Sequence, residues 1–262
     1  MFAQAAARNR PIAGAVATLG VSDRVTFLRR TYGLLGIALV GFALLTGCMM
    51  AFASTTSLKF SMWALTGRLT WLLVMGLFMV IGYVAQRLAL SQTSRGLQLL
   101  GLGLAVLAES IILQPLLWFV LLKFGSDAQR IQILTGQFVM SGQAGNIIME
   151  SVVITLSIFV GLTAVVFISK KDFSFMRGIL TIASFAALGV ILASMLFGFH
   201  LGAIFLGVMI LLMAGYILYQ TSLVMTQFPP QSFVAAALML FSTIATLFFY
   251  VLQLMASLQD RR

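Results

Sequence analysis

The sequence is poor in charge. Only 8% of its 262 residues are Asp, Glu, Lys or Arg, whereas an ordinary soluble domain carries roughly a quarter. At the same time, 61% of the residues are apolar and the mean hydropathy is +1.09. A soluble fold is therefore excluded. Because the charges fall in short gaps between apolar stretches, no segment is left for a separate globular domain.

Residues that carry common enzyme chemistry are also scarce. The chain has one cysteine, Cys48, one histidine, His200, and six acidic residues. One cysteine cannot form an intramolecular disulfide, and one Cys with one His supplies too few ligands for a zinc site. The sequence contains no HExxH motif, nucleophile elbow or Walker loop. We therefore predict that the protein is not an enzyme and uses no cofactor.

Basic residues exceed acidic ones, but they do not indicate nucleic-acid binding. The sixteen Lys and Arg give a net charge of +10, yet they lie at the ends of apolar stretches and form no single basic face with aromatic residues between them. Their positions are informative about topology instead, because cationic loops stay on the cytoplasmic side of a membrane.

Seven apolar stretches are long enough to cross a membrane. About 20 apolar residues span a hydrocarbon core of about 30 Å, and each stretch must be helical because lipid cannot satisfy free backbone groups. The predicted fold is therefore all-α, a seven-helix bundle over residues 29–258 with tails over 1–28 and 259–262. The predicted spans are 31–54, 69–90, 96–122, 147–169, 176–197, 201–225 and 233–258.

Charge and tryptophan both indicate the orientation of the bundle. With the N-terminus inside, ten of the sixteen Lys and Arg lie on the inner side. Trp63, Trp71 and Trp118 then fall at outer helix ends, the headgroup level that tryptophan prefers. We predict a multi-pass cell-membrane protein with a cytoplasmic N-terminus. The odd number of spans places Arg261 and Arg262 outside, against the charge rule.

Glu109 is the first candidate for a functional residue. It lies about 20 Å into the third span at 1.5 Å per residue, and an ionisable group at that depth by default marks a functional site. Gln114 and Pro115 follow about one turn later, and a proline frees a backbone carbonyl that could line a cavity. We predict that Glu109 lines an ion pathway; a structural buried hydrogen bond is the alternative.

Two further charged residues border the predicted spans. Glu150 opens the fourth span, where it could either lie on an ion pathway or simply suit the positive end of a helix. Arg87 lies near the inner end of the second span. It could pair with a carboxylate at a gate, or extend its side chain to the interface.

Several segments carry a family resemblance, in the same order over nearly the whole chain. Residues 27–32 (FLRRTY), 109–115 (ESIILQP) and 237–248 match segments of the first, third and seventh helices, and Tyr219-Gln220-Thr221 resembles a Tyr-Asp-Thr motif in the sixth. The most specific segment follows the fourth span and consists of Lys170, Lys171, Asp172, Phe173, Ser174 and Phe175. Together these segments resemble the bacterial branch of the transmembrane Bax inhibitor motif family.

This resemblance implies a fold and a set of activities. The fold is six helices around a central seventh. The implied activities are a calcium leak across membranes, suppression of cell death in eukaryotes and, in some bacteria, modulation of a membrane AAA protease. The implied partners are the lipid bilayer, calcium or another cation, and a membrane protease, with the bacterial inner membrane as the location.

The sequence departs from that family at one pair of positions. Calcium-leak members carry an aspartate in helix six and another in helix seven, which share a proton and sense pH because two neighbouring carboxylates cannot cheaply both ionise. Here Gln220 and Thr243 stand at those positions, and neither titrates. We expect them to hydrogen-bond across the two helices and to provide no pH gate. A cation leak and a non-conducting regulator of a membrane partner therefore both remain open.

Overall fold

The chain is helical throughout the part that the structure describes. The computed structural model describes residues 20–91, 94–135, 138, 142–169, 171–199 and 201–260. These residues form nine α-helices and no strand. The helices are α1 (Val21–Phe52), α2 (Ser54–Leu65), α3 (Arg68–Ala89), α4 (Arg95–Phe124), α5 (Asp127–Leu134), α6 (Gly142–Ser169), α7 (Met176–Phe197), α8 (Ala203–Thr226) and α9 (Phe233–Gln259), the last preceded by a 3₁₀ turn (Pro230–Ser232).

Seven of these helices are long and apolar enough to cross a membrane, namely α1, α3, α4, α6, α7, α8 and α9. Backbone hydrogen bonds close inside each helix, as lipid exposure requires, except where Pro115 of α4 removes one of them. This confirms the predicted all-α polytopic fold. Helices α2 and α5 are short and lie in connections between spans.

Helix α9 lies at the centre of the bundle. It packs against α1, α3, α4, α6 and α8, and 72% of its apolar stretch is buried, against 11% for α3 and 6% for α7. Three consecutive small residues, Ala235, Ala236 and Ala237, are all buried near its start, and small residues let helix backbones approach closely in a membrane. The predicted central seventh helix is confirmed.

Hydrogen bonds and an ion pair show which helix ends share a membrane face. Lys123 at the end of α4 pairs with Asp260 just after α9, at 2.7 Å. The segment before α7 hydrogen-bonds to the end of α8 through Ser222. We call the inner face the one at which α3 and α8 end and α4, α7 and α9 begin.

Helix boundaries differ from the prediction in three places. Helix α1 begins at Val21 rather than at residue 31, the predicted gap after the first span contains α2, and the gap between the third and fourth predicted spans contains α5. Helix α5 has its own start signal, because Ser126 Oγ accepts from the Gln129 amide while Gln129 Oε1 accepts from the Ser126 amide. Residues 1–19 of the predicted tail, and Lys170, His200, Arg261 and Arg262, lie outside the described residues.

Trp118 was predicted to lie at the headgroup level of the membrane, and this prediction is wrong. Its side chain is 1% exposed, and its Nε1 donates to Ser57 Oγ of α2 at 2.8 Å. The Ser57 hydroxyl donates to Gln114 Oε1 at 2.7 Å, and Gln114 Nε2 donates to the carbonyls of Ser110 and Thr46 at 3.2 and 3.4 Å. The prediction failed because Trp118 has a buried polar partner, which hydropathy does not reveal.

Candidate functional site

A cavity of about 520 Å³ lies among α3, α7, α8 and α9. Its apolar lining includes Met213, Phe228, Leu238 and Met239, and all the lining residues that the structure describes are uncharged. Hydroxyl and amide groups nevertheless enter it from all four helices. The polar lining residues are Gln86, Ser184, Tyr216, Gln220, Ser242, Thr243 and Thr246.

The cavity extends from the inner face towards the middle of the membrane. Ala89 and Leu90 line it at the end of α3, and Phe228 lines it just after α8. Thr246 lines its deep end, about 20 Å along α9 from the inner face at 1.5 Å per residue. Thr246 is also the middle residue of the 27-residue helix α9, which is longer than a hydrocarbon core of about 30 Å, so the deep end lies near mid-depth.

Gln220 and Thr243 meet inside this cavity. The Thr243 hydroxyl donates to Gln220 Oε1 at 2.8 Å and also lies 3.2 Å from the carbonyl of Met239, one turn earlier in α9. Both side chains are buried, 8% and 7% exposed. The hydrogen bond between α8 and α9 that the sequence predicted is therefore present.

A second polar pair lies on the other wall of the cavity. The hydroxyls of Ser184 in α7 and Tyr216 in α8 are 2.8 Å apart, and Tyr216 also reaches the carbonyl of Leu180 at 3.4 Å. Tyr216 and Gln220 are four residues apart, so they occupy the same face of α8. The same spacing of polar residues in α8 and α9 was the one sequence signal that could have found the cavity.

Glu109 does not line this cavity. It is half-buried in α4, at the same distance from the inner face as Thr246, and its neighbours one turn away on the same face, Ala105 and Leu113, are buried. Within the described part of the chain, no hydrogen bond or ion pair to its carboxyl group is found. The assignment of Glu109 to an ion pathway therefore stays a prediction.

Glu150 and Arg87 lie apart from Glu109, from the cavity and from each other. Glu150 is exposed on α6, two turns after the helix begins. Arg87 is exposed at the inner end of α3, where its Nε donates to the Tyr83 hydroxyl at 2.9 Å and its guanidinium lies 5.0 Å from the centre of that ring. Of the five predicted pathway residues, the structure brings together only Gln220 and Thr243.

The segment between α6 and α7 is fastened to the inner end of α8. Asp172 Oδ1 accepts hydrogen bonds from the Ser174 amide at 2.8 Å, from the Ser174 hydroxyl, and from the Ser222 hydroxyl at 3.2 Å. Ser222 Oγ accepts from the Phe173 amide at 3.1 Å, and Gln227 Nε2 donates to Ser174 Oγ at 3.2 Å. These bonds give the KKDFSF segment a structural role at the inner face.

The same hydrogen bonds set the protonation of Asp172. Burial by itself raises the pKa of this carboxyl, but the bonds from the Ser174 hydroxyl and amide and from the Ser222 hydroxyl outweigh it and hold the pKa below its usual range. Lys171, next to it, is exposed. Tyr219 is half-buried on α8 within electrostatic range of Arg177, and it does not line the cavity.

Comparison with known proteins gives consistent matches. The sequence profile of the family described as "Inhibitor of apoptosis-promoting Bax1" matches residues 24–260. Bax inhibitor 1 of Schizosaccharomyces pombe is 35% identical over 122 residues, which are 45% of this chain and 45% of that protein. An uncharacterized protein of Pseudomonas aeruginosa is 28% identical over 116 residues, 42% of this chain and 50% of that protein. The chain thus covers about half the length of these relatives. No solved structure matches it.

Proposed function

The chain belongs to the family of inhibitors of apoptosis-promoting Bax1, and on that premise we propose that it is a cation-leak protein of the membrane, with calcium as the cation. The cavity among α3, α7, α8 and α9 is the inner vestibule of the leak. The Gln220–Thr243 hydrogen bond, one turn of α9 short of the deep end at Thr246, is the proposed closure. The observation that carries this proposal is a cavity with polar groups on every wall that reaches from the inner face to about the middle of the central helix.

The lining chemistry supports the passage of a cation. Calcium is a hard cation that takes oxygen ligands, and the hydroxyls of Ser184, Ser242, Thr243 and Thr246 with the Gln220 amide oxygen supply them. Conduction requires binding strong enough for entry but weak enough for release. A lining of neutral oxygens meets that requirement better than a cage of carboxylates, which suits tight binding.

The closure acts without a titrating group. Thr243 and Gln220 hold α9 against α8 through a bond that does not change with pH in the physiological range. The proposed leak is therefore insensitive to pH at this pair, unlike that of the family members that carry two aspartates.

Glu109 is proposed as the cation site on the far side of the closure. Its carboxyl is half-buried at the depth of Thr246 and is without a hydrogen-bonding or ionic partner in the described residues. A charge in that position needs a counter-ion or water, and a passing cation provides the first. Opening the closure is the step that would connect it to the vestibule.

A liposome assay tests the leak. Calcium entry into vesicles with an enclosed indicator is compared for wild type, Glu109→Gln and Glu150→Gln, the last making the same chemical change at an exposed position of α6. We expect flux above that of empty vesicles, a severalfold loss with Glu109→Gln and no change with Glu150→Gln. Wild-type flux equal to that of empty vesicles would sink the proposal.

A non-conducting regulator of a membrane partner, such as an AAA protease, is the second candidate. It is favoured by one observation, that Glu109 does not line the cavity. The basic N-terminal segment would be its docking element. A pull-down compares the intact protein with a version that lacks residues 1–26; unchanged recovery of the partner would exclude the tail, and the same liposome assay separates the two candidates.

The membrane in which the protein lies, and its orientation there, are also part of this proposal. We propose the bacterial inner membrane with the inner face towards the cytoplasm. Arg24, Arg29 and Arg30 at the start of α1, Arg95 at the start of α4 and Arg177 in α7 support this orientation, because cationic segments stay on the cytoplasmic side.

A further inference from the structure

The cavity is open on one side, where two of the helices that line it do not pack against each other. Four helices line it, and α3 packs against α9, α9 against α8, and α8 against α7. In the described ranges, however, α3 and α7 share no such interface along their length: α3 packs mainly on α4, and α7 mainly on α8. They meet only at their outer ends, where the Arg68 side chain lies against Gly198. They are also the two least buried spans. The cavity is therefore bordered by a gap between α3 and α7 that faces the lipid.

Two polar groups in the cavity have no partner within the described part of the chain. Gln220 uses its Oε1 to accept from Thr243, but its Nε2 donates to nothing. The Ser242 hydroxyl on α9 makes no hydrogen bond either. Gln220 is only 8% exposed as a whole residue, and the part that stays accessible includes its Nε2, which faces the cavity. A donor at this depth is normally satisfied, and here a molecule that brings a hydrogen-bond acceptor would satisfy it.

The rest of the lining indicates what that molecule is. The described lining residues include no cationic side chain, which disfavours an anionic phosphate head at this depth, because a buried anion needs a positive partner. The aromatic rings of Tyr216 and Phe228 and the thioethers of Met213 and Met239 border the same space, and thioethers contact flat rings favourably. A volume of about 520 Å³ lies within the range of roughly 300–1,000 Å³ that small-molecule sites occupy.

We propose that this cavity binds a neutral, carbonyl-bearing lipid that enters sideways from the membrane. Its carbonyl oxygen accepts from Gln220 Nε2 and from the Ser242 hydroxyl, and its apolar tail leaves through the gap between α3 and α7. Isoprenoid quinones and diacylglycerols share this chemistry, and the ring-and-thioether lining favours the flat quinone head. A bound lipid fills the vestibule and lowers the leak; only this last consequence rests on the proposed function.

Direct binding tests the site. The purified protein in phosphatidylcholine nanodiscs is titrated with decyl-ubiquinone, with dioctanoylglycerol and with the anionic dioctanoyl phosphatidylglycerol. We expect saturable binding of the quinone, weakened roughly five- to tenfold by Gln220→Leu and roughly fivefold by Ser242→Ala, the loss expected for one hydrogen bond. Because the Ser242 side chain makes no bond in the fold, that variant remains informative even if Gln220→Leu does not fold.

Two control variants make the same chemical changes elsewhere. Gln143→Leu and Ser157→Ala alter exposed residues of α6 that do not line the cavity, and both should bind the quinone as wild type does. Binding of dioctanoylglycerol alone, with the same sensitivity to Gln220 and Ser242, supports the site and identifies the glyceride as its occupant. Failure of both neutral lipids to saturate, equal weakening by the control variants, or binding of the anionic lipid alone would overturn the proposal.

A flux measurement on the same preparations separates this inference from the leak. If calcium passes but neither neutral lipid binds, the lipid site is wrong and the leak stands. If a neutral lipid binds as expected but no calcium passes, the lipid site stands and the leak is wrong.

Discussion

The Thr243 hydroxyl donates to Gln220 Oε1 at 2.8 Å, joining the central helix α9 to α8 inside the cavity. Hydrogen bonds between helices within membranes contribute on average about 0.6 kcal/mol and at most roughly 2 kcal/mol. This bond is thus strong enough to bias a closed conformation and weak enough to open thermally. A closure of this strength can be altered by single substitutions.

Replacing Thr243 by Val should open the proposed leak. Valine keeps the shape of the side chain but removes the donor, and a loss of about 1 kcal/mol corresponds to roughly fivefold in a closed-to-open equilibrium. We therefore expect calcium flux in liposomes to rise severalfold. Thr155→Val is the matched control, since Thr155 is also buried and its hydroxyl donates to the Ser151 carbonyl of its own helix. Unchanged flux with Thr243→Val would show that the bond is not the closure.

Introducing two carboxylates at this pair should create a pH response that the wild type lacks. In the double variant Gln220→Asp with Thr243→Asp, the two groups share a proton at low pH and repel one another once both ionise. Flux should therefore rise as the pH increases, whereas the wild-type flux should stay flat over the same range. The measurement is calcium entry at pH 5 to 8. A flat profile for the double variant would indicate that the two positions do not control the pathway.

Removing the charge of Asp172 should loosen the segment between α6 and α7. Because hydrogen bonds lower the pKa of Asp172 in the fold, its stabilisation is complete above the ordinary carboxyl pKa of about 4 and is lost as the pH falls through the lowered value. We expect Asp172→Asn to lower the melting temperature by roughly 2–4 °C at pH 7, equivalent to about 1 kcal/mol after allowance for its partial exposure.

The pH dependence of that difference is the sharper test. The melting temperatures of wild type and Asp172→Asn should differ equally at pH 7 and pH 5 and should converge below pH 4. Asp127→Asn serves as control, because its ion pair with Arg130 is solvent-exposed and such pairs contribute little. A gap between Asp172→Asn and wild type that persists unchanged below pH 4 would mean that the charge is not what holds the segment.

Replacing Trp118 by Phe should destabilise the fold, whereas replacing Trp63 should not. Trp118→Phe removes the donor to Ser57 Oγ and leaves a buried hydroxyl with one partner fewer; we expect a loss of about 1 kcal/mol. Trp63 is 45% exposed, so Trp63→Phe should leave thermal unfolding unchanged. Equal melting temperatures for the two variants would contradict a structural role for the Trp118 hydrogen bond.

The two termini should lie on opposite sides of the membrane. Seven spans require it, and the Lys123–Asp260 pair at 2.7 Å places the end of α9 beside the end of α4, on the face opposite the inner one. Alkaline phosphatase, which is active only outside the cytoplasm, should therefore be active when fused after Arg262 and inactive when fused after Ser91 or Ser174. Activity in the opposite pattern would reverse the proposed orientation.

The seven spans and the central position of α9 could be predicted from the sequence, for different reasons. Spans are determined by the length of an apolar run, which hydropathy measures directly. The central seventh helix and the Gln220–Thr243 contact came from the family resemblance, which supplies a three-dimensional arrangement that no single helix contains.

The cavity and the short helices could not be predicted, because their signals are weak in an apolar sequence. Helix rotation is normally indicated by a polar face, but α8 and α9 are apolar on almost every side. The sequence therefore does not show whether the side chains of Tyr216 and Ser242 point into the bundle or towards lipid. Helices α2 and α5 are too short for a hydropathy signal. Trp118 was misassigned because a tryptophan at a helix end can face either the headgroups or a buried partner such as Ser57.

Helix α7 is joined to the rest of the bundle mainly through α8, and only 6% of its apolar stretch is buried, so most of its surface is left for lipid. An outward movement of α7 would break few protein contacts, whereas α9 is held by five other helices. The thickness and tension of the surrounding bilayer would therefore act most directly on this wall of the cavity. A change in bilayer thickness or tension would thereby change the volume of the cavity.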